Sequence, residues 1–354
     1  MIEIFKAAIQ RGASDIHIKA GDFIRARITG ELVPLTQQRL SPEQVSQICL
    51  QLIPHQHDRD RLDEIRDYDC SWSAPGVGRF RVNILRQRGT LMIVMRVIPI
   101  DIPNFDALRL PPVLAGIALA DRGLILVTGV TGSGKSSTLA AMVGYINQQR
   151  KKHVITLENP IEFLHRDLNC SITQREIGTD TDGFESGLRA ALREDPDVVL
   201  IGEMRDMTTI DTAMKAAETG HLVLSTLHTT NAVQTISRVI AVFPPHEQEM
   251  VRIRLSENLV AVVSQRLLPR KDGNGRVVAA EIMIVTATIR DAILDKDRVH
   301  EIYDLMEEGK EQYGSQTFDQ HLIDLVNQDL ISFEVARASA NNPSDFELKM
   351  RTLA

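Results

Sequence analysis

The sequence predicts an α/β protein in two parts, a small α+β module followed by a parallel-sheet domain that ends in a helical portion. Three observations carry this reading. The runs GLILVT (123–128), HVITL (153–157), VVLI (198–201) and LVLSTL (222–227) are short, apolar and rich in β-branched residues, with helical stretches between them. Buried parallel strands covered by helices on both faces read this way. Pro99, Pro103, Pro111 and Pro112 punctuate the segment before the first run. From about Thr288 the chain is charged and helix-like, with no strand pattern.

These features set the expected boundaries: an α+β domain over 1–98, an extended linker over 99–112, the parallel-sheet domain over 113–287 and a helical region over 288–354. In the first domain, Met1 to Arg11 reads as a helix stopped by Gly12. Residues 15–19 and 23–29 alternate in the strand manner, and Gly30 supplies a turn. Ser41 can cap a helix in which Pro42 suits the first turn and Gln44 the third position. Residues 79–85 and 90–98 read as a hairpin around Gln87-Arg88-Gly89.

Composition narrows the functional classes. At 354 residues the chain exceeds one ordinary domain. No apolar stretch approaches the roughly 18 residues of a membrane span, and the N-terminus lacks a secretory signal's apolar centre. The expectation is a cytoplasmic protein that meets a membrane only by peripheral docking. A net charge of −7 and 4% aromatic residues lean against nucleic-acid binding. Cys49, Cys70 and Cys170 form no Cys-x-x-Cys pair, so neither a disulfide framework nor a tetracysteine zinc site is expected.

The strongest signal is Gly129-Val130-Thr131-Gly132-Ser133-Gly134-Lys135-Ser136, which fits G-x-x-x-x-G-K-[ST] between an apolar strand and the helical run Ser137–Tyr145. Glycines let backbone N–H groups close on phosphate oxygens, and the following helix directs its positive end at the same anion. Lys135 is expected at the β- and γ-phosphates, Ser136 on Mg²⁺, and Ser137 beside them. No guanine-reading N-K-x-D segment is present, which favours ATP over GTP.

Charged residues gather around this loop in the sequence. Asp197-Val198-Val199-Leu200-Ile201-Gly202-Glu203 ends an apolar strand in a carboxylate, the arrangement that holds Mg²⁺ through water. HVITL runs into Glu158-Asn159-Pro160-Ile161-Glu162, whose acids suit orienting a water. His221 and His228 bracket the last apolar run, where they suit nucleotide contact; seven residues apart, they do not match a helical zinc pair. Arg79, Arg81, Arg86, Arg88 and Arg96 cluster before the linker, and Arg193 lies in LREDPD. A guanidinium suits transition-state phosphate charge and is commonly supplied by a neighbouring subunit.

Taken together, these motifs resemble the secretion-superfamily ATPases, and within them the PilT-type retraction ATPases of type IV pili. The resemblance spans nearly the whole chain: GASDIHI, GRFRVNIL, VMRVIP, GVTGSGKSSTLAAM, ENPIEFLH, QREIG, LREDPDVVLIGEMRD, AAETGHLVLSTLHT, FPPHEQ and QTFDQ. It implies a PAS-like N-terminal domain, a RecA-like ATPase domain and a homohexamer with nucleotide between subunits. It also implies Glu162 as catalytic glutamate in an Asp box at Glu158–His165, Glu203 as the Walker-B acid, and His221 and His228 as the His box. Arg79, Arg81 and Arg96 fall where the family's N-terminal domain supplies arginines to nucleotide. Function would be ATP-driven pilus disassembly in twitching motility, and sometimes DNA uptake, through an inner-membrane platform protein and alongside a paralogous pilus ATPase.

Two segments depart from the family pattern. Asn159 replaces the aspartate of EDPIE and removes a charge. The motif AIRNLIRE reads Thr288-Ile289-Arg290-Asp291-Ala292-Ile293-Leu294-Asp295 here. The rival readings are a PilU-type accessory ATPase, a pilus-assembly or secretion ATPase, a VirB11-like ATPase, a nucleotide-binding regulator and, from another class, a RecA-like nucleic-acid translocase.

Overall fold

The computed structural model describes residues 1–99 and 101–353. Its contacts divide the chain into two units, residues 1–101 with 162–164, and residues 102–161 with 165–354.

The first unit runs α1 (Ile2–Gln10), β1 (Ala13–Lys19), β2 (Arg25–Ile28), β3 (Glu31–Pro34), α2 (Pro42–Leu52), α3 (Gln56–Asp60), β4 (Asp67–Ala74), β5 (Gly78–Gln87) and β6 (Thr90–Ile98). The strands form one antiparallel sheet in the order β3-β2-β1-β6-β5-β4. Helix α2 starts with a full capping box: Ser41 Oγ accepts from Gln44 N–H while Gln44 Oε1 accepts from Ser41 N–H. Strand alternation sends Ile16, Ile18, Phe80, Val82, Ile84, Ile93 and Met95 to one face. There they pack with Phe5 and Ala8 of α1 and Val45, Ile48 and Leu52 of α2. The edge strand β4 alternates as well: Tyr68, Cys70, Trp72 and Ala74 pack partly buried against this core between Asp67, Asp69, Ser71 and Ser73, a pattern that the sequence reading missed.

The segment 99–112 differs from the extended linker read in the sequence. Residues 104–110 turn, with Leu108 N–H bonded to Asn104 O and Leu110 N–H to Phe105 O. Leu110 is buried, and Phe105 and Leu108 pack beside it. The apolar residues between the prolines draw this stretch onto the second unit.

That unit continues with α4 (Val113–Ala118), β7 (Gly123–Thr128), α5 (Lys135–Gln149), β8 (His153–Glu158), β9 (Ser171–Glu176), α6 (Phe184–Ala191) and β10 (Val198–Ile201). Next come α7 (Met207–Glu218), β11 (Leu222–Leu227), α8 (Ala232–Ala241), α9 (Gln248–Asn258), β12 (Leu259–Pro269) and β13 (Arg276–Ile284). Helices α10 (Ala287–Leu294), α11 (Ile302–Glu308), α12 (Lys310–Tyr313), α13 (Phe318–Asn327), α14 (Phe333–Ser339) and α15 (Pro343–Leu353) close the chain. The seven-stranded sheet has the order β13-β12-β7-β11-β10-β8-β9, parallel except for β13.

Every residue of β7 is buried because the sheet is covered on both faces. Leu124 and Leu126 pack against α7, α8 and α9. Ile125 and Val127 pack against α4 and α5. The strands β9, β12 and β13 were not read from the sequence. The last two place Ser264, Gln265 and Glu281 in the interior, and buried polar residues interrupt the apolar pattern. Among the described residues no helix is long and apolar enough to cross a membrane.

Candidate functional site

Parallel pairing aligns the carboxyl ends of β7, β11, β10 and β8 on one edge of the sheet, where open α/β folds place their ligands. At the end of β7 the chain turns at Gly129, whose φ of +140° is foreign to residues with a side chain. A Cβ there would lie 2.5 Å from both Gln265 O and Ser133 Oγ. Gly134, at φ +96°, then leads directly into α5. No side chain caps that helix start, so its first N–H groups remain available to an anion.

Lys135 lies inside the loop at 8% exposure and donates from Nζ to Gly129 O at 2.8 Å and Val130 O at 3.1 Å. Val130, Thr131, Gly132 and Ser136 are exposed, Ser137 is half-buried, and Ser133 is buried with no hydrogen-bond partner for its Oγ among the described residues. A concave run of N–H groups, a buried ammonium and an exposed Ser136 hydroxyl on the first helical turn fit a polyphosphate with its Mg²⁺. Beneath the loop, Gln265 Nε2 donates to Thr138 Oγ1 at 2.7 Å and Thr128 Oγ1 to Ser264 Oγ at 2.9 Å. These bonds fasten α5 and β7 to β12.

Two strands along, Glu203 leaves the end of β10. Gly202 is held by its N–H to Leu157 O at 2.8 Å and by Thr226 Oγ1 donating to its carbonyl at 2.6 Å. Ser225 Oγ donates to Ile201 O at 2.7 Å. So anchored, Glu203 Oε2 lies 2.8 Å from Arg205 Nε and 3.6 Å from His228 Nε2. Glu203 is mostly buried, with His228 more open beside it.

The acidic loop after β8 is organised by β9. Glu158 Oε1 accepts from Thr156 Oγ1 at 2.7 Å and Gln174 Nε2 at 3.1 Å. The Asn159–Pro160 bond is cis. Ile161 N–H donates to Glu176 Oε2 at 3.0 Å and His165 N–H to Gln174 Oε1 at 2.8 Å. Glu162 is exposed on this loop. Glu176 and Gln174 are contributors that the sequence reading missed, although both lie in the QREIG block.

Within one chain, two expected residues lie away from the phosphate loop. His221 precedes β11, so it sits at the amino edge of the sheet, roughly 20 Å from the carboxyl edge at ~3.3 Å per residue. Its Nδ1 lies 2.9 Å from Ala216 O and 3.1 Å from Thr219 Oγ1, an attachment to the end of α7. Arg193 is exposed in the turn between α6 and β10, at the same amino edge. Strand direction therefore separates the two histidines, and within one chain only His228 shares the edge with the loop. The same geometry removes Arg193 from its own chain's phosphate site.

Arg27, Arg81 and Arg96 lie on the first unit's sheet face opposite its core, whereas Arg86 pairs with the core residue Leu91 and donates to Ile65 O, Leu62 O and Asp63 O. Register places Arg27, Asp15, Arg96, Arg81 and Ser71 in one row across β2, β1, β6, β5 and β4. Arg96 Nε lies 2.9 Å from Asp15 Oδ1, and Arg79 Nη2 donates to Ser71 Oγ at 2.9 Å. Burial works against the Asp15 charge, but hydrogen bonds from Arg96 and Ser14 hold its carboxyl below the usual range. Arg81 stands directly opposite Arg96. Like charges in opposed positions are unfavourable, and the Asp15 carboxylate on Arg96 offsets part of that cost.

The sequence profile described as "Type II/IV secretion system protein" matches residues 1–329. The type IV pilus retractation ATPase PilT of Pseudomonas aeruginosa is 44% identical over 344 residues, covering 97% of this chain and 99% of that protein. The type IV pilus ATPase PilU of the same organism is 41% identical, covering 99% and 91%. The crystal structure of the pilus retraction motor PilT with bound ADP superposes with a TM-score of 0.90 at 44% identity, over 98% of this chain and 99% of that one. The ATPase DotB of Legionella pneumophila follows at 0.83 and 29%, over 95% and 93%. The likeness spans a PAS-like α+β domain and a RecA-like ATPase domain with its helical C-terminal portion. The chain belongs to the type II/IV secretion system protein family, and within it to the PilT-type ATPases.

Proposed function

We propose that the protein is a homohexameric motor that hydrolyses Mg²⁺-ATP and drives type IV pilus retraction, the basis of twitching motility. The observation that carries this is the coincidence of full-length likeness to a retraction ATPase with a phosphate loop and an acid aligned on one sheet edge. Lys135 holds the β- and γ-phosphates, Ser136 and Glu203 hold Mg²⁺ (Glu203 through water), and Glu162 orients the attacking water. Mg²⁺, when bound, neutralises phosphate charge. His228, beside Glu203, reads the γ-phosphate side. Arg79, Arg81 and Arg96 bring cations to nucleotide from the N-terminal domain, and Arg193, turned away from its own loop, serves a neighbour's site.

The ring works in the cytoplasm, docked on an inner-membrane platform protein. A second reading, the PilU-type accessory motor that works with a paralogue, is favoured by 41% identity over 99% of the chain. It is favoured also by the altered motif that forms α10.

Deleting the gene and imaging pili tests the proposal. Hyperpiliated, non-retracting cells support retraction, cells that retract weakly support the accessory role, and bald cells contradict both. Strong stimulation of ATP hydrolysis by single-stranded DNA would favour a translocase instead.

A further inference from the structure

Glu281 lies on the edge strand β13 at 2% exposure. It stands opposite Ser264, which stands opposite Thr128 at the foot of the phosphate loop, so the three form one row across β13, β12 and β7. Its Oε1 accepts from Ala232 N–H at 2.8 Å, while Oε2 is buried with no partner among the described residues. Burial of this kind is costly for a carboxyl group and pushes its pKa up to about 7. An ion pair does not explain the residue. Arg266, the nearby cation on β12, is spent on Ser339 O, Asn341 Oδ1 and the Phe318 ring 3.9 Å away, and the other charge facing Glu281 is Asp319 of α13.

What Glu281 does hold is the first N–H of α8. Residues 229–231, which follow His228, are stitched to that same helical turn. Thr229 Oγ1 lies 2.7 Å from Thr235 Oγ1, Thr230 Oγ1 donates to Gln234 Oε1 at 2.7 Å, and Asn231 Oδ1 accepts from Gln234 N–H at 2.8 Å. The head of α8 therefore sets where His228 stands relative to Glu203, and Glu281 ties that head to the sheet.

We infer that Glu281 is a positioning residue for ATP hydrolysis, fixing the head of α8 so that His228 stays beside Glu203 at the carboxyl edge. The inference rests on the ATPase reading above. It assigns a function to a buried polar group that packing alone does not require, since an apolar residue of similar size would avoid the desolvation cost.

The test compares the full-length wild type with Glu281→Ala, Glu281→Gln, His228→Ala and the double variant His228→Ala/Glu281→Ala. ADP affinity, melting temperature and kcat are measured for each. Glu281→Ala is expected to lower kcat about tenfold or more while ADP affinity stays within about twofold, because the phosphate loop is untouched. Glu281→Gln keeps an acceptor for Ala232 N–H and should recover kcat to within about threefold of wild type. On the His228→Ala background, Glu281→Ala should add less than about twofold, since the two residues act as a unit. A wild-type kcat in folded Glu281→Ala, or losses that multiply in the double variant, would overturn the inference. Should Glu281→Ala fail to fold, Glu281→Asp, one methylene too short to reach Ala232, must show the same loss of kcat; a wild-type rate there would overturn it equally. A wild type that binds ATP without turnover would instead defeat the ATPase reading itself.

Discussion

The Glu203 carboxylate and the His228 imidazole meet at the carboxyl edge of the sheet, with Oε2 3.6 Å from Nε2. Nothing in their sequence separation dictates this. It follows from the parallel pairing of β10 with β11, which sets Ile201 beside Ser225 and carries both chains to the same edge. The Glu203→Gln variant should therefore keep ATP binding and lose turnover by roughly 10²-fold or more, with weakened Mg²⁺ dependence. Steady-state kinetics across a magnesium titration checks this. Glu162→Gln should also bind and fail to turn over; a wild-type rate in that variant would move water activation to Glu203.

Gly129 tolerates no side chain. Its φ of +140° and the 2.5 Å approach of Gln265 O to a would-be Cβ both act against Gly129→Ala. The variant should lose about 1–3 kcal/mol of stability from overpacking alone, and the loop must shift to relieve the clash. Urea denaturation checks the first effect and ADP titration the second. Unchanged values in both would mean that the loop has another conformation.

Stability should carry a pH signature from Glu281. Its folded pKa is raised to about 7 from an ordinary 4.5, chiefly by burial, so the native state binds more protons than the unfolded chain between those values. Stability from this group is then present below about pH 4.5 and lost as pH rises through 7. Glu281→Gln, which does not titrate, should gain in melting temperature relative to wild type between pH 5 and pH 8. An equal gap at both pH values would contradict the assignment.

Arg81 is exposed on the open face of the N-terminal sheet, beside the Arg96–Asp15 ion pair. In mixed rings of wild-type and Arg81→Ala subunits, ATPase loss should follow the neighbour's site and not the variant's own. Rings in which each defect stays with its own subunit would remove the contribution in trans.

The strand–turn–helix of the phosphate-loop motif was legible because its pattern is local: glycines, lysine and serine stand within eight successive residues between β7 and α5. Glu203 was legible for a similar reason, standing at the end of a fully buried apolar strand. The supports of these residues were not. Gln265 lies 127 residues from its partner Thr138, and Glu281 lies 49 from Ala232; each interrupts an apolar strand with a buried polar group that only tertiary pairing explains. Strand direction, not proximity along the chain, puts His221 and His228 at opposite ends of β11. The turned segment 104–110 misled, since its prolines speak for extension while its apolar residues are drawn into a core.

The central claim, that nucleotide phosphates sit against the loop closed by Lys135, is tested most directly by thermal unfolding with and without Mg²⁺-ATP. Wild type at a hundredfold excess of nucleotide over Kd should gain about 2.7 kcal/mol, a rise of several degrees. Lys135→Ala should show no rise at the same concentration. Equal shifts in the two proteins, or none in the wild type, would contradict it.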